Sequence, residues 1–150
     1  MYSISQVSQM FNIPVSTLRY YDKEGFFPFL QRQSGIRKFG YNELEALRVI
    51  ECLKASGLEI KEINRFFELV RQGSSSYSER RQLFLNQLQD IEEELQRLER
   101  VKAMVQFKCW YYEKAMADGN EEGIQAMLPD KLPPEIQKLY DLAHEESLCK

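Results

Sequence analysis

The 150-residue chain is 43% hydrophobic and 29% charged, with a formal net charge of −3. Such a composition folds as one ordinary domain, or as a small domain with an extension, and excludes a disordered polar tract. No apolar run approaches the roughly 20 residues that cross a bilayer, and the start "MYSISQVSQMF" lacks a basic segment and apolar block, so a cytoplasmic protein without membrane contact is expected.

Cys52, Cys109 and Cys149 are scattered and odd in number. They argue against a disulfide framework, suit a reducing compartment and lack the spacing of a zinc site. The charge is uneven as well. Residues 1–41 carry +3, through Arg19, Lys23, Arg32, Arg37 and Lys38 against Asp22 and Glu24, whereas residues 73–150 carry −5. A basic head on an acidic body is compatible with nucleic-acid binding despite the net charge.

Ser3 with Gln6 has the form of a capping box, and Ile4, Val7, Met10 and Phe11 recur at helical spacing. "NIPVS" interrupts that helix, and a second opens at Val15 or Ser16 and runs to about Glu24, stopped by Gly25. Two short helices on a tight turn predict a helix-turn-helix. Extended runs at about Phe29–Arg32 and Ile36–Phe39 flank Ser34-Gly35, predicting a hairpin that presents Arg32, Arg37 and Lys38 as a basic wing. A third helix is expected from about Asn42, as N-cap, to Ala55. A fourth runs from about Ile60 to Arg71, with Ile63, Phe66, Phe67 and Val70 inward.

From Tyr77 the pattern changes. Phe84, Leu88, Ile91, Leu95, Leu98 and Val105 alternate at spacings of four and three, interrupted by Lys102. A helix from about Ser78 to Ala117 would be roughly 60 Å long and could not bury that stripe within so small a chain. An antiparallel coiled coil with a second copy is the economical expectation, with Lys102 placed to fix register or orientation. Packing on the chain's own tail is the alternative. After Gly119 come a helical turn or two, a proline-marked bend at 129–134, and a last amphipathic helix with Ile136, Leu139, Tyr140 and Leu142.

A recognition helix needs side chains that reach base edges and polar groups that hold phosphates. In "STLRYYDKEGFFPF", Thr17, Arg19, Tyr20 and Lys23 meet that need, while Leu18 and Tyr21 point back into the head. The order of "ISQVSQMFNIPVSTLRYYDKEGFFPF", "SGIRKFGYNELEALRVIECLKASGLEIKEI" and a long heptad helix resembles the MerR family of bacterial transcription regulators. The similarity is specific through about Ile63 and architectural through Ala117. The resemblance implies a mainly α fold: a winged helix-turn-helix with two accessory helices over 1–72, a coiled-coil dimerisation helix over 76–117, and a helical tail or effector region over 118–150.

It also implies a homodimer on double-stranded promoter DNA whose −35 and −10 elements are too far apart. Bending and untwisting of that DNA lets RNA polymerase use both elements. Ser16, Thr17, Arg19 and Tyr20 match the recognition-helix positions, Arg37 matches the wing arginine, and Tyr41 lies just beyond the wing. Where many relatives have a tyrosine shortly after that arginine, this chain has Phe39, which cannot offer a hydroxyl to phosphate.

Metal-responsive members carry a cysteine at the start of the long helix. "YSERR" has none, and His144 is the single histidine, so no metal and no cofactor are expected. The chain is nearer to members that answer reactive aldehydes or thiol stress, since "CLKASGL" falls where that branch has its cysteine. At about 100° per residue, Ala46, Val49, Ile50 and Leu53 form the apolar face of the third helix and Cys52 falls on the opposite margin beside Arg48. Arg48 favours a thiolate there, while Glu45 and Glu51 oppose it. Sensing and plain packing both stay open for Cys52.

In multidrug-responsive members, aromatic residues beyond the coiled coil form a pocket for an apolar effector. Phe107, Trp110, Tyr111 and Tyr112 offer one here, although a small core that holds the tail is the commoner use of such a cluster. An enzyme is not expected, because Cys52 lacks catalytic partners and no glycine-rich phosphate loop is present. A helical adaptor without DNA binding is opposed by the basic wing together with Arg19 and Tyr20.

Overall fold

The computed structural model describes residues 1–145, so Cys149 lies outside the described residues. The elements are α1 (Ile4–Phe11), α2 (Val15–Lys23), β1 (Gln31–Gln33), β2 (Ile36–Lys38), α3 (Tyr41–Ala55), α4 (Ile60–Arg71), a 3-10 turn (Gly73–Ser76), α5 (Tyr77–Asp118), α6 (Glu122–Met127) and α7 (Pro134–His144). They divide into two compact units, residues 1–88 and the residues from Gln89 onward, and the 42-residue α5 contributes to both.

In the first unit, α1 starts as its capping box requires. The Gln6 amide donates to Ser3 Oγ and the Ser3 amide donates to Gln6 Oε1 at 2.8 Å. Asn12 ends it in the left-handed conformation, φ 52°, and Pro14 leads directly into α2. The hairpin pairs Gln33 with Ile36 across a two-residue turn in which Ser34 and Gly35 both have positive φ, matching the twist of the strands. A third segment joins it, because Tyr2 and Phe39 exchange backbone hydrogen bonds of 2.8 and 2.9 Å. This head buries Val7, Leu18, Tyr21, Phe26, Phe39, Leu47, Ile50, Leu53 and Ile63 almost completely.

Several local expectations need correction. The first strand begins at Gln31 rather than Phe29, because the Leu30 amide bonds back to the Phe27 carbonyl and turns residues 27–30. Gly40, not Asn42, is the N-cap of α3: Glu43 reaches back to accept the Gly40 amide at 2.8 Å, so Tyr41 is already helical. The buried face of α3 is Leu44, Leu47, Ile50 and Leu53, with Ala46 and Val49 only half-buried. On α4, Leu69 is buried and Val70 half-buried, and on α1 Met10 is exposed.

The second unit has its own core. Ala103, Phe107 and Tyr111 are buried on one side of α5, and Phe107 and Tyr111 pack with Ile124 and Leu132 from the tail. Tyr140 of α7 meets Phe107 edge to face at 5.3 Å, and Trp110, Ile136 and Leu139 lie around this core. No helix among the described residues is long and apolar enough to cross a membrane.

Candidate nucleic-acid interface

On α2, Ser16, Arg19, Tyr20 and Lys23 stand at i, i+3, i+4 and i+7, so one face of the helix carries all four. All four are exposed, while Leu18 and Tyr21 on the other side are buried. Thr17, at the margin between the faces, is half-buried. The burial of Leu18 and Tyr21 fixes the rotation of the helix about its own axis. Reaching side chains are thereby turned to solvent without being held. Arg19 and Lys23 make no side-chain hydrogen bond or ion pair with any described residue.

The wing is tied to the helix through one carboxylate. Asp22 Oδ2 accepts from Arg37 Nε at 2.7 Å and from Arg32 Nη2 at 2.8 Å, and the Asp22 side chain is only 12% exposed. Charge-assisted hydrogen bonds to a screened carboxylate are stronger than exposed ion pairs, so this junction holds the hairpin against α2. Its two arginines also neutralise the acid that would otherwise oppose a phosphate. Arg37 uses Nε for this bond, and Lys38, half-buried on the same strand, has no ionic partner among the described residues. Tyr41 is exposed at the start of α3. Phe39 is fully buried, edge-on to Phe27 at 5.4 Å, so position 39 is a core position in this head and the missing hydroxyl has a packing reason.

Three further contacts lock the C-terminal end of α2 and had no signature in the sequence. Lys54 Nζ of α3 donates to Tyr21 Oη at 2.8 Å, and that hydrogen bond, aided by Glu51, raises the Lys54 pKa above its ordinary value. Asn64 Nδ2 of α4 donates to Glu24 Oε2 at 2.9 Å, and Arg71 Nη1 donates to the Gly25 carbonyl at 3.0 Å. Gly25 has φ +83°, a conformation that favours glycine, and this turns its carbonyl out to Arg71. Spacing alone had no means of pairing residues 33 to 46 positions apart.

Cys52 is an exposed free thiol in the last turn of α3. The partners of Arg48 lie toward the other end of that helix: its guanidinium pairs with Glu45 and sits 5.9 Å over the Phe11 ring of α1. Its role as an aid to Cys52 is therefore replaced by a contact between α3 and α1. Of the aromatic group in the second unit, Phe107 and Tyr111 are buried core, Trp110 is half-buried and Tyr112 is exposed. Phe107 and Tyr111 are filled positions rather than the lining of an open pocket. An apolar cleft of about 370 Å³ lies in the head, lined among others by Phe27, Phe29, Ala46, Val49, Phe66 and Val70, and sequence reasoning did not find it. Leu88, Ile91, Leu95, Leu98 and Val105 are all exposed in the single chain.

A helix-turn-helix with a hairpin wing fastened beside its second helix defines a class of nucleic-acid-binding head. Residues 2–69 match the family model for MerR HTH family regulatory proteins, and residues 44–106 match the model described as MerR, DNA binding. An HTH-type transcriptional regulator of Haemophilus influenzae is 33% identical over 124 residues, covering 82% of this chain and 92% of that protein. The chain therefore belongs to the MerR family of DNA-binding transcriptional regulators. Among solved structures, HiNmlR, a MerR family regulator lacking the sensor domain and bound to promoter DNA, superimposes with a TM-score of 0.70 at 33% identity, covering 81% of this chain and 98% of that one. A MerR family regulator from Bacillus thuringiensis gives a TM-score of 0.64 at 37% identity, covering 72% and 96%.

Proposed function

We propose that this regulator binds promoter DNA as a homodimer, with Arg19, Tyr20 and Lys23 of α2 entering a groove beside Ser16 and Thr17, and with Arg37, Lys38 and Tyr41 holding phosphates at the wing. The observation that carries the reading is the contrast on α2: cations without partners among the described residues on its exposed face, beside a wing held by Asp22. Long side chains left unpaired on a fixed frame suit base edges and phosphates, since the ordering cost falls on the frame before DNA arrives. The similarity to HiNmlR, which is bound to promoter DNA, supports the same partner.

Pairing of two heads through α5 fixes the spacing of the two half-sites, and distortion of an overlong promoter spacer then presents both elements to RNA polymerase. A fluorescence-anisotropy titration on DNA from upstream of the gene tests the contact. Affinity should fall linearly with the logarithm of salt concentration, and binding that ignores salt would remove the phosphate contacts from the account.

The exposure of Cys52 favours a thiol-based signal. A reactive aldehyde would add there as a hemithioacetal: sulfur bonds the carbonyl carbon, the C=O π bond opens and the thiol proton ends on oxygen. Promoter response to aldehyde and to diamide, compared in wild type and Cys52→Ala, tests this. Response should be lost in the variant, and an unchanged response would take Cys52 out of the signal.

A further inference from the structure

Between α4 and α5 the chain reads Gly73-Ser74-Ser75-Ser76, a 3-10 turn of small residues. Gly73 has φ +74°, and a Cβ built there would meet nothing within 4 Å, so the backbone conformation and not a close approach calls for glycine. A turn of this composition would pivot freely if nothing held it. Ser74 and Ser75 are exposed, but Ser76 is completely buried, and its hydroxyl lies against the Leu69 and Gly73 carbonyls.

Arg80, one turn into α5, decides how those bonds are shared. Its Nη2 donates to the Gly73 carbonyl at 2.8 Å and its Nε donates to Ser76 Oγ at 3.1 Å. A hydroxyl has a single hydrogen to give. With the Gly73 carbonyl served by Arg80, that hydrogen goes to the Leu69 carbonyl in the last turn of α4. The guanidinium carbon also lies 4.6 Å from the centroid of the Tyr77 ring, which steadies the fork. One side chain of α5 thus grips both the turn and the serine that plugs the end of α4.

Other contacts hold the same joint with less direction. Phe84 meets Phe66 edge to face at 5.5 Å and Leu83 packs on the head core, but apolar contact is non-directional. Arg65 pairs with Glu79 at 3.3 Å where both are exposed, and such an ion pair is weak. Arg71, the last residue of α4, holds the Gly25 carbonyl just past α2. Residues 71–80, all within the head unit, therefore join the end of α2 to the start of α5.

We propose that Ser76 and Arg80 are positioning residues for promoter binding: without touching DNA, they fix the direction in which α5 leaves the head, so that the two heads of a dimer meet half-sites at one separation. The inference rests on the homodimer reading above. A head that pivots at this turn must be ordered again whenever both half-sites are engaged, which costs affinity and blurs the preferred separation.

Anisotropy titrations of the full chain test this on three versions of the promoter fragment: the natural one, one with two base pairs inserted between the half-sites mapped by footprinting, and one with a half-site scrambled. Two base pairs shift a half-site by about 7 Å and turn it by roughly 70°. Wild type should lose about 100-fold in affinity on insertion, because both heads can no longer engage. Arg80→Met keeps the stem and removes both donors, and Ser76→Ala removes the hydroxyl. Each should bind the natural fragment about tenfold more weakly and lose less than about tenfold on insertion, with wild-type affinity for the scrambled fragment. Circular dichroism melts establish that the variants are folded, and Arg80→Met, at a half-buried position, carries the test if Ser76→Ala unfolds. The full wild-type penalty on insertion in both variants, or an equal loss on the scrambled fragment, would overturn the positioning role alone. A wild type indifferent to the insertion would overturn it together with the dimer reading beneath it.

Discussion

The two units of this regulator bury their cores in similar ways and differ in what they leave uncovered. In the head, α2 exposes Ser16, Arg19, Tyr20 and Lys23, and the nearby acid Asp22 is neutralised by two arginines of the wing. In the second unit, α5 exposes Ile91, Leu95, Leu98, Val101 and Val105. A polar, cationic face with a rigid frame suits a phosphate polymer, whereas an apolar stripe at heptad spacing suits another helix. The uncovered chemistry, more than the core, therefore separates a part suited to DNA from a part suited to a second helix.

If the two cores are packed independently, they can be broken one at a time. Trp110, the single tryptophan, belongs to the second core and reports on it alone. Phe107→Ala should lower the stability seen by Trp110 fluorescence by about 3–5 kcal/mol, the usual cost of removing a buried aromatic ring. Phe26→Ala, which removes a ring stacked on Phe67 at 5.1 Å, should cost the head a similar amount and leave the Trp110 transition in place. Merged transitions in both variants would show one cooperative unit instead of two.

The junction at Asp22 comes next in size. Asp22→Ala removes two charge-assisted hydrogen bonds from a largely screened carboxylate, and should destabilise the head by about 1–3 kcal/mol. Amide exchange at Gln33 to Ile36 should rise in the same variant as the hairpin loosens; unchanged exchange would mean that Tyr2 and Phe39 hold the wing without Asp22. The smallest effect is expected at Cys52, where an exposed side chain has little to lose. Cys52→Ser should change stability by less than about 0.5 kcal/mol, so any loss of aldehyde response in a Cys52 variant would be chemical and not structural.

Local signals made the elements legible in sequence: the Ser3–Gln6 box, Gly25, the Ser34-Gly35 turn and the bounds of α4 each follow from adjacent residues, and the structure has them. The exposed face of α2 was legible for the same reason, since Leu18 and Tyr21, both buried, fall between the polar positions at helical period. What joins the elements was not. Asp22 with Arg32 and Arg37, Tyr21 with Lys54, and Glu24 with Asn64 lie 10 to 40 residues apart, and no periodicity encodes them. Arg48 shows the same limit from the other side, because one-turn spacing suggested Cys52 while the fold gave it Glu45 and Phe11.

The central claim is that the exposed cations of α2 contact DNA, and it is tested most directly by anisotropy titrations of wild type, Arg19→Ala and Lys23→Ala over a range of salt. Arg19→Ala should weaken binding by about 1–3 kcal/mol and relax discrimination between promoter and unrelated DNA, while Lys23→Ala should weaken both alike and reduce the salt slope by about 1. Wild-type affinity and an unchanged salt slope in both folded variants would contradict the assignment of this face to DNA.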